Sequence, residues 1–495
     1  MKKSLLVPSE IRSIVQTLQK GGFEAYLVGG CVRDLVREKT PKDWDITTNA
    51  KPGEIIALFP KTFYENDYGT VGIVNERITE EDVGKNSLRI VEVTPYRKEA
   101  TYSNFRHPDT VEFSGNLYDD LLRRDFTMNA IAYNPERGEF IDPYEGILDI
   151  ERHLIRSVGK AEDRFKEDAL RVMRAVRFGA ELGFAIEKDT MDAVTRYSIL
   201  LKKIAAERIR DEFEKMIMSE RPMEGVVLLE RTGILKLIIP ELVEGMGCEQ
   251  NGDHIYDVWE HNLRALQHAA VRDWPLHVRL AALLHDVGKP HTRRWAPEKD
   301  DWTFYGHDVV GGKISKKILE RMHFPKHIVN TVSTLVRYHL FFSDIEKITL
   351  SAVRRIIANV GPTLVWDLMH VRSCDRIGMG RPKETPYRLR KYHSMIEEAM
   401  RAPVSVGMLK IDGARIMETT NIPAGREVGF VLHALFDEVL DNPENNTPEY
   451  LEKRTRELLA LPKEELERLG QEGKEKKSEK EEEAVDAIRK KYGVQ

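Results

Sequence analysis

The sequence predicts an α/β head followed by a mainly α-helical body, within one chain of 495 residues. Short apolar runs rich in β-branched residues alternate with short amphipathic segments over about the first 150 residues, which is typical of an α/β domain. Helical periodicity then begins near residue 164 and continues through most of the chain. A chain of this length is too long for a single hydrophobic core and is expected to form about two to four domains.

Composition narrows the class of protein. Hydrophobic residues make up 41% and charged residues 32% of the chain, which is typical of a soluble, polar protein. No apolar run reaches the roughly 18 residues of a membrane span, and Pro8 and Glu10 interrupt the N-terminus, so we expect no signal peptide. The three cysteines, Cys31, Cys248 and Cys374, are far apart, which argues against a disulfide framework and fits a cytoplasmic protein. The net charge of -5 means that any nucleic-acid binding must come from local basic patches.

The individual elements follow from these patterns. Pro52 is suited to the first turn of a helix, and the Gly21-Gly22 pair is suited to a helix end. In the head we predict helices over 9–20, 33–38 and 51–59 and strands over 25–28, 44–47, 70–74 and 88–93. In the body we predict helices over 164–178, 201–217 and 387–402.

The stretch from residue 28 to 48, VGGCVRDLVREKTPKDWDITT, carries the first candidate site. A Gly29-Gly30 pair after an apolar strand lets backbone amides approach an anion, and Arg33 on the following helix adds positive charge. If a strand covers the two aspartates, Asp43 and Asp45 project from the same face. Such a pair of carboxylates suits a pair of hard cations.

LVGGCVRD followed closely by DWDITT resembles the signature of the polymerase-beta-like nucleotidyltransferases. The closest resemblance is to the bacterial class II branch that contains tRNA CCA-adding enzymes and poly(A) polymerases. It implies a head with a small mixed sheet and helices, and it implies that Gly29, Gly30 and Arg33 bind a nucleotide.

Glu92 interrupts an apolar, β-branched strand in which Ile90, Glu92 and Thr94 would share one face. One interpretation is an edge strand with this acid in water. The other is a third carboxylate, because RIVEVTPYR resembles the family segment that carries it. The resemblance then implies that Asp43, Asp45 and Glu92 bind two magnesium ions and catalyse phosphoryl transfer.

RRDFTMNA, at residues 123–130, resembles the second motif of the family, which is associated with sugar and phosphate recognition. It implies nucleotide contacts from Arg124, Asp125 and Asn129. The polar stretch 96–113 matches a flexible loop of the family that helps the enzyme change between C and A addition. For any single residue in it, an ordinary surface loop remains an equal alternative.

EDALR resembles the nucleotide-selecting motif of the family. Asp168 and Arg171 are three residues apart and therefore neighbours on a helix, where a simple surface ion pair is the alternative. The resemblance implies instead that the carboxylate accepts from an exocyclic amino group of the base while the guanidinium donates to ring acceptors. Arg174 and Arg177 continue a basic stripe that could contact phosphate.

A second constellation follows, because eleven of the fifteen histidines fall between residues 251 and 370. The order of histidines and aspartates resembles the HD-domain metal-dependent phosphohydrolases. The resemblance implies a metal site that binds manganese, nickel, iron or zinc and hydrolyses phosphomonoesters or 2′,3′-cyclic phosphates. The implied ligands are His261, His285, Asp286, His307, His339 and Asp375.

The expected domains follow the order of these motifs. They are a nucleotidyltransferase head (1–150), a nucleotide-selecting neck (151–245), an HD domain (246–385), a helical tail module expected to bind tRNA through Arg415 and Arg426 (386–462), and a charged tail (463–495). The charged tail is expected to be a solvated helix or disordered.

The resemblance implies an enzyme that adds CMP and AMP, from CTP and ATP, to tRNA 3′ ends without a template. The motifs leave open whether CC, A or full CCA is added. A poly(A) polymerase is the alternative, although those enzymes usually lack an HD domain and carry a basic tail. A degenerate head that only binds RNA is a third interpretation, and the complete set of Asp43, Asp45, Glu92, Asp168 and Arg171 argues against it.

Overall fold

The computed structural model describes residues 5–64, 69–76, 78, 86–99, 111–252, 254–340, 348–401 and 406–494. Most of the expected C-to-A switching loop at 96–113 lies outside the described residues. Contacts divide the chain into two compact units, Met1–His339 with His370–Pro382, and Leu340–Met369 with Lys383–Gln495. Both candidate sites lie in the first unit.

The head is built on a seven-stranded sheet with the strand order β3-β4-β5-β2-β1-β8-β9. The sheet is mixed, as the resemblance implied, because β2 and β5 run parallel while their other neighbours run antiparallel. The strands of the head are β1 Ala25–Val28, β2 Asp45–Thr48, β3 Thr62–Tyr64, β4 Val71–Val74, β5 Ile90–Pro95, β6 Arg97–Glu99, β7 Val111–Phe113, β8 Ala132–Asn134 and β9 Glu139–Ile141. Its helices are α1 Ser9–Lys20, α2 Gly30–Val36, α3 Pro52–Leu58, α4 Leu117–Leu122 and α5 Gly146–Glu151.

Two local features of the head follow directly from its residues. Gly29 joins β1 to α2 with φ of 78°, a left-handed conformation that favours glycine. Along β5, Val91 and Val93 are fully buried while Glu92 is exposed. The predicted alternation of this strand is therefore confirmed.

The neck is helical after the short parallel pair β10 Leu154–Ile155 and β11 Ala185–Ile186. The predicted helix over 164–178 is wrong in one respect, because Asp168 is extended (φ -132°, ψ 106°) and divides it into two helices. The predicted helix over 201–217 begins only at Ala206. The helices are α6 Ala161–Glu167, α7 Leu170–Leu182, α8 Lys188–Tyr197, α9 Ala206–Ile217, α10 Pro222–Arg231, α11 Ile234–Ile238 and α12 Pro240–Val243.

The histidine-rich region is also mainly helical. Its one hairpin is the antiparallel pair β12 Arg294–Ala296 and β13 Asp301–Thr303, within the described part of the region. His307 begins a helix rather than lying on a turn, because Gly306 (φ 75°) forms the turn before it. The helices are α13 Val258–Val271, α14 Leu276–Leu284, α15 Lys289–Thr292, α16 His307–Arg321, α17 Lys326–Tyr338, α18 Leu350–Val360 and α19 Leu364–Gly378.

In the second unit, the expected solvated or disordered tail is a 30-residue helix that packs against a neighbour. Leu466 is buried, and a Cβ placed on Gly473 would lie 2.2 Å from the carbonyl oxygen of His433. The contact face therefore depends on glycine as well as leucine, which hydrophobicity alone does not reveal. The helices of this unit after α19 are α20 Tyr387–Met400, α21 Gly413–Thr420, α22 Arg426–Asp441, α23 Pro448–Leu459 and α24 Lys463–Tyr492.

All three cysteines are buried, and none of them forms a disulfide bond. Within the described residues, no helix combines the length and the apolar composition that crossing a membrane requires.

Candidate functional site

The first site lies where β2 and β5 run side by side. Asp45 and Glu92 are directly opposite each other in this parallel pair, and neighbouring strands lie about 4.8 Å apart. Asp43 is exposed and precedes the strand, which begins at Asp45 rather than at residue 44. The register therefore brings Glu92, 47 positions further along the chain, next to the aspartate pair.

The Gly-Gly turn forms the opposite wall of this site. A Cβ on Gly29 would lie 3.3 Å from Oδ2 of Asp45 and 3.2 Å from Nη1 of Arg124. Both the positive φ and the close approach of these two side chains disfavour a larger residue at this position. The structure thus brings Gly29, Asp45 and Arg124 together from three separate motifs.

The charges of this site suit a bound cation. Burial, followed by the nearby charge of Asp43, raises the pKa of Asp45 to about 6, although the Arg124 guanidinium lowers it. A cation next to the carboxylates would relieve their mutual repulsion. Carboxylate oxygens, such as those of Asp43, Asp45 and Glu92, are ligands that magnesium prefers.

Asp120 supports this site, and the sequence analysis missed it. Its side chain is fully buried and accepts from Arg123 (2.7 Å), Arg124 (3.0 Å) and the Thr47 hydroxyl (3.3 Å). An acid three and four residues before two arginines on a helix is a detectable spacing. In the sequence, however, it looks like an ordinary surface ion pair. Asp120 therefore orients the Arg124 guanidinium, whose charge acts on Asp45.

Replacing Asp120 with asparagine should lower the stability of the head by about 2 kcal/mol at pH 7. Burial alone would raise the pKa of Asp120, but Arg123 and Arg124 outweigh burial and lower it to about 2. A lowered pKa contributes stability above the ordinary value of about 4, and this contribution is lost as the pH falls towards 2. Urea unfolding of wild type and Asp120→Asn at pH 7 and pH 3 measures the difference, which should shrink at the lower pH. A difference that does not change with pH would contradict this assignment.

A chain of hydrogen bonds joins four of the predicted nucleotide-binding residues. Arg33 donates to Asn129 (3.1 Å), Asn129 donates to Asp125 (3.0 Å), and Arg174 donates to the other oxygen of Asp125 (2.7 Å). Burial opposes the charge of Asp125, but Arg174 outweighs this effect and holds the pKa of that carboxyl far below its ordinary value. The chain links α2, the RRDFTMNA segment and α7.

Three guanidinium groups also surround the ring of Phe178. The guanidinium carbons of Arg33, Arg174 and Arg177 lie 5.3, 5.3 and 4.1 Å from the ring centroid. Glu212 of α9, which was not predicted from the sequence, forms an ion pair with Arg177, with 2.9 Å between Oε2 and Nε. The three arginines therefore cluster around one ring, and each is paired with an acid, namely Asp34, Asp125 and Glu212.

Asp168 and Arg171 each have another partner. Arg208 of α9 pairs with Asp168 at 2.9 Å, while Arg171 pairs with Glu167 at 2.8 Å and donates to the Arg123 carbonyl at 2.6 Å. Asp168 Oδ1 also accepts from the Leu170 amide, which explains the extended backbone between α6 and α7. The expected i, i+3 helix pair is therefore replaced by two anchored groups at a helix boundary.

The second site is a buried cluster around Asp286, directly after α14. Its Oδ2 lies 3.1 Å from His261 Nε2, 3.4 Å from His285 Nε2 and 2.6 Å from Lys289 Nζ. Asp375 of α19 lies 3.4 Å from His261 Nε2. These groups come from three helices and the turn after α14.

The other oxygen of Asp286 faces a second pair of histidines. Oδ1 lies 3.2 Å from His307 Nε2 and 3.5 Å from His339 Nε2. The structure therefore brings all six predicted HD ligands together, and Asp286 lies between two groups of histidines. A carboxylate in this position can bridge two metal ions.

The tautomers of three histidines suit metal binding. Each Nδ1 lies close to the carbonyl oxygen three residues earlier, so we assign the proton to Nδ1 and the lone pair to Nε2. The pairs are His285 with Ala282 (2.8 Å), His307 with Phe304 (2.7 Å) and His339 with Val336 (2.7 Å). Imidazole and carboxylate ligands in this arrangement fit a transition metal.

His254 is a further member that the sequence analysis missed. Its ligand atom lies within 4.8 Å of those of His261 and Asp286. Burial, followed by the charge of Lys289, lowers the pKa of His254 to about 4, so this ring is neutral at pH 7. The spacing H-x6-H across one helix start is the sequence signal for His254, and it is weak because His254 lies in the loop before the helix.

Three families match consecutive parts of the chain. Residues 25–156 match the "Poly A polymerase head domain", 183–246 the "Probable RNA and SrmB- binding site of polymerase A" and 253–369 the "HD domain". These matches follow the order that the sequence motifs implied.

Curated relatives are similar over about half of the chain. The CCA-adding enzyme of Lactiplantibacillus plantarum is 44% identical over 234 residues, which is 46% of this chain and 54% of that enzyme. The CCA-adding enzyme of Geobacillus thermodenitrificans is 40% identical over 291 residues, 57% and 65% of the two chains. The chain thus spans about half to two thirds of the length of these relatives.

A solved structure is similar over a longer part of the chain. The CCA-adding enzyme of Bacillus stearothermophilus in complex with CTP superimposes with a TM-score of 0.60 at 28% identity, over 91% of this chain and 98% of that one. The chain is thus similar to class II CCA-adding enzymes, and it combines regions that match a poly(A) polymerase head, an RNA-binding region and an HD domain.

Proposed function

We propose that the head adds CMP and AMP to tRNA 3′ ends without a nucleic-acid template. The observation that carries this proposal is the register of Asp45 opposite Glu92, with the Gly29 turn and Arg124 against the same aspartate. Similar enzymes are CCA-adding enzymes, and one of them was solved with CTP. The substrates would be tRNA, CTP and ATP.

The proposed chemistry is phosphoryl transfer from the nucleoside triphosphate to the tRNA 3′-hydroxyl. Magnesium ions held by Asp43, Asp45 and Glu92 would activate that hydroxyl and stabilise the leaving pyrophosphate. The chain supplies position and charge. Arg174 and Arg177, which lie against the Phe178 ring, would stabilise the triphosphate, and α2 begins directly after Gly29.

Base selection is proposed for Asp168 and Arg171. Cytosine and adenine each carry an exocyclic amino group, which can donate a hydrogen bond to a carboxylate. Each also has a ring nitrogen, which can accept a hydrogen bond from a guanidinium. Both side chains are held by other residues, so their positions are set before a nucleotide arrives. Arg208 serves as the positioning residue for Asp168.

We expect Arg208→Ala to lower kcat/KM for CTP and ATP about tenfold, because a charge-assisted hydrogen bond of roughly 1.5 kcal/mol no longer orients Asp168. Arg208→Lys should recover part of the loss. Arg210→Ala, on the same helix and paired with Asp211, is the matched control. Equal kinetics for Arg208→Ala and Arg210→Ala would contradict the positioning role.

A nucleotide-addition assay tests the proposed function. The protein is incubated with labelled CTP or ATP and with tRNA that ends before CCA, tRNA that ends in CC, or an unstructured RNA. We expect two C residues on the first tRNA and one A on the second. A long A tail on any RNA would instead favour a poly(A) polymerase, and addition of C alone or A alone would indicate a CC-adding or A-adding specialist.

We also propose that the HD domain hydrolyses phosphomonoesters or 2′,3′-cyclic phosphates. The two groups of ligands that share Asp286 support a metal-dependent hydrolase. The bound ion would be manganese, nickel, iron or zinc, and it would activate a water molecule. Hydrolysis of 2′,3′-cyclic AMP after loading with each metal, and its loss with a chelator, tests this activity. No hydrolysis with any of the four metals would overturn it.

The domain divisions stay proposals, with the head at 1–150, the neck at 151–245, the HD domain at 246–385, the tail module at 386–462 and the terminal helix at 463–495. Within the tail module, Arg415 pairs with Glu418 and Glu452, both at 2.9 Å. Arg426 is exposed. We therefore assign contact with tRNA phosphate to Arg426 in preference to Arg415.

A further inference from the structure

The β12–β13 hairpin with its flanks, residues 293–305, exposes aromatic rings beside the HD cluster. Trp295 is 48% and Tyr305 75% exposed. Large aromatic side chains that lie in water are not explained by packing, and they often mark an interaction surface. We call residues 293–305 the aromatic hairpin.

The rings are arranged on the strand pair by its register. Trp295 and Trp302 are directly opposite each other, and their ring centroids lie 5.2 Å apart in an edge-to-face arrangement. Trp302 packs partly against the buried cluster formed by Cys248, Val258 and Phe304. The Trp302 ring is therefore anchored in the fold. The Trp295 ring contacts it edge-to-face and keeps an exposed surface.

Cations lie next to these rings. The guanidinium carbon of Arg293 is 3.7 Å from the centroid of Trp302, and Lys299 donates to the hydroxyl of Tyr305 at 2.6 Å. The three basic residues of the hairpin are balanced by Glu298, Asp300 and Asp301. The hairpin therefore has little net charge, and its rings rather than its overall field set its binding properties.

The C-terminal end of the hairpin is tied to the HD cluster. The backbone carbonyl of Phe304 accepts a hydrogen bond from Nδ1 of the predicted ligand His307 at 2.7 Å. The Lys289 ammonium lies 5.6 Å from the centroid of the Phe304 ring. Tyr305 is only two residues before His307, with Gly306 as the turn between them. A molecule stacked on the hairpin would lie beside the metal site.

We propose that the aromatic hairpin is a docking surface for an unpaired nucleobase, which places the attached ribose phosphate in the HD site. Exposed aromatic rings with nearby cations are the usual surface for single-stranded nucleic acid, because every base has a face that can stack. The proposal rests on the proposed hydrolase function of the HD domain. It adds that the substrate is recognised through its base, so that it is a nucleotide or the end of an RNA strand.

Steady-state hydrolysis with two substrates tests the proposal. The first is 2′,3′-cyclic AMP, and the second is the 2′,3′-cyclic phosphate of methyl riboside, which has no base. For Trp295→Ala and Tyr305→Ala we expect KM for cyclic AMP to rise roughly tenfold, as for the loss of one stacked base. KM for the base-free substrate should stay at the wild-type value. Tyr118→Ala, which removes an aromatic ring of the head with 55% exposure, is the control.

A proportional change for both substrates, or no change for either, would overturn base recognition by the hairpin.

The second measurement does not need hydrolysis. A six-nucleotide single-stranded RNA with 4-thiouridine at its 3′ end is photo-crosslinked to the full chain, and the peptides are mapped. We expect a crosslink within residues 293–305 that Trp295→Ala weakens. Crosslinks confined to other regions would overturn the surface and leave a protein partner as its occupant. If wild type hydrolyses neither substrate, the hydrolase proposal fails by itself while the crosslink still decides the surface.

Discussion

Asp45→Asn is expected to reduce nucleotide addition by about a thousandfold or more, because removal of one carboxylate costs the metal site several kcal/mol of transition-state stabilisation. Asp45 is the natural choice because three features converge on it. It is opposite Glu92 in the sheet, it lies against the Gly29 turn, and Asp43 raises its pKa together with burial. Asparagine preserves the size of the side chain, so that the fold of the head should be kept.

The measurement is the initial rate of CMP addition to tRNA that lacks its terminal CCA. Glu136→Gln, an acid of the same head that pairs with Arg12 at its surface, should keep the wild-type rate. Hydrolysis at the HD site should also be unchanged in Asp45→Asn, because the predicted HD ligands lie in a different part of the chain from Asp45. If Asp45→Asn adds CMP at the wild-type rate, the assignment of the carboxylate site is wrong.

Much of the head could be predicted because its signals are local. The alternation of β5 and the glycine turn before α2 depend on neighbouring residues, and both occur where expected. The position of Glu92 beside Asp45 depends on strand order, which the residues alone do not determine. There the family resemblance supplied what periodicity could not.

The corrections share a different physical cause. The helical period runs without interruption across Asp168, but a hydrogen bond from Leu170 and the ion pair with Arg208 stabilise an extended backbone there. The Leu170 bond is a local contact and the Arg208 pair is a tertiary one, and together they outweigh the helical propensity of the segment. Asp120 was missed for the same reason, because its burial beneath Arg123 and Arg124 is a property of the folded head.

The six predicted histidine and aspartate ligands are a case in which the pattern was informative although the residues lie up to 114 positions apart. A chance set would scatter over the surface, whereas these six are all buried and lie close together. His254 was not predicted because a single histidine in a loop carries little information without its neighbours. Its membership depends on the turn that brings it next to α13.

Asp286→Asn should abolish hydrolysis at the HD site, by about a thousandfold or more, and should leave nucleotide addition intact. Asp286 and His261 each belong to two of the three potential metal-binding groups, and Asp286 faces His261 with one oxygen and His307 with the other. An amide is a poorer ligand than a carboxylate and removes one negative charge from the shared position. The loss should therefore appear in metal content as well as in rate.

The metal content of the purified protein, measured by mass spectrometry after loading with manganese or zinc, separates the two effects of this substitution. We expect wild type to retain metal and Asp286→Asn to retain clearly less. Asp308→Asn, which replaces a neighbouring acid that pairs with Arg337, should match wild type in both metal content and hydrolysis. Normal metal content with lost hydrolysis would assign Asp286 a role in catalysis alone. Normal values for both would show that the bridging carboxylate is not needed and would contradict the site. Because the head uses a separate set of carboxylates, the rate of CMP addition in the same preparation reports whether the variant is folded.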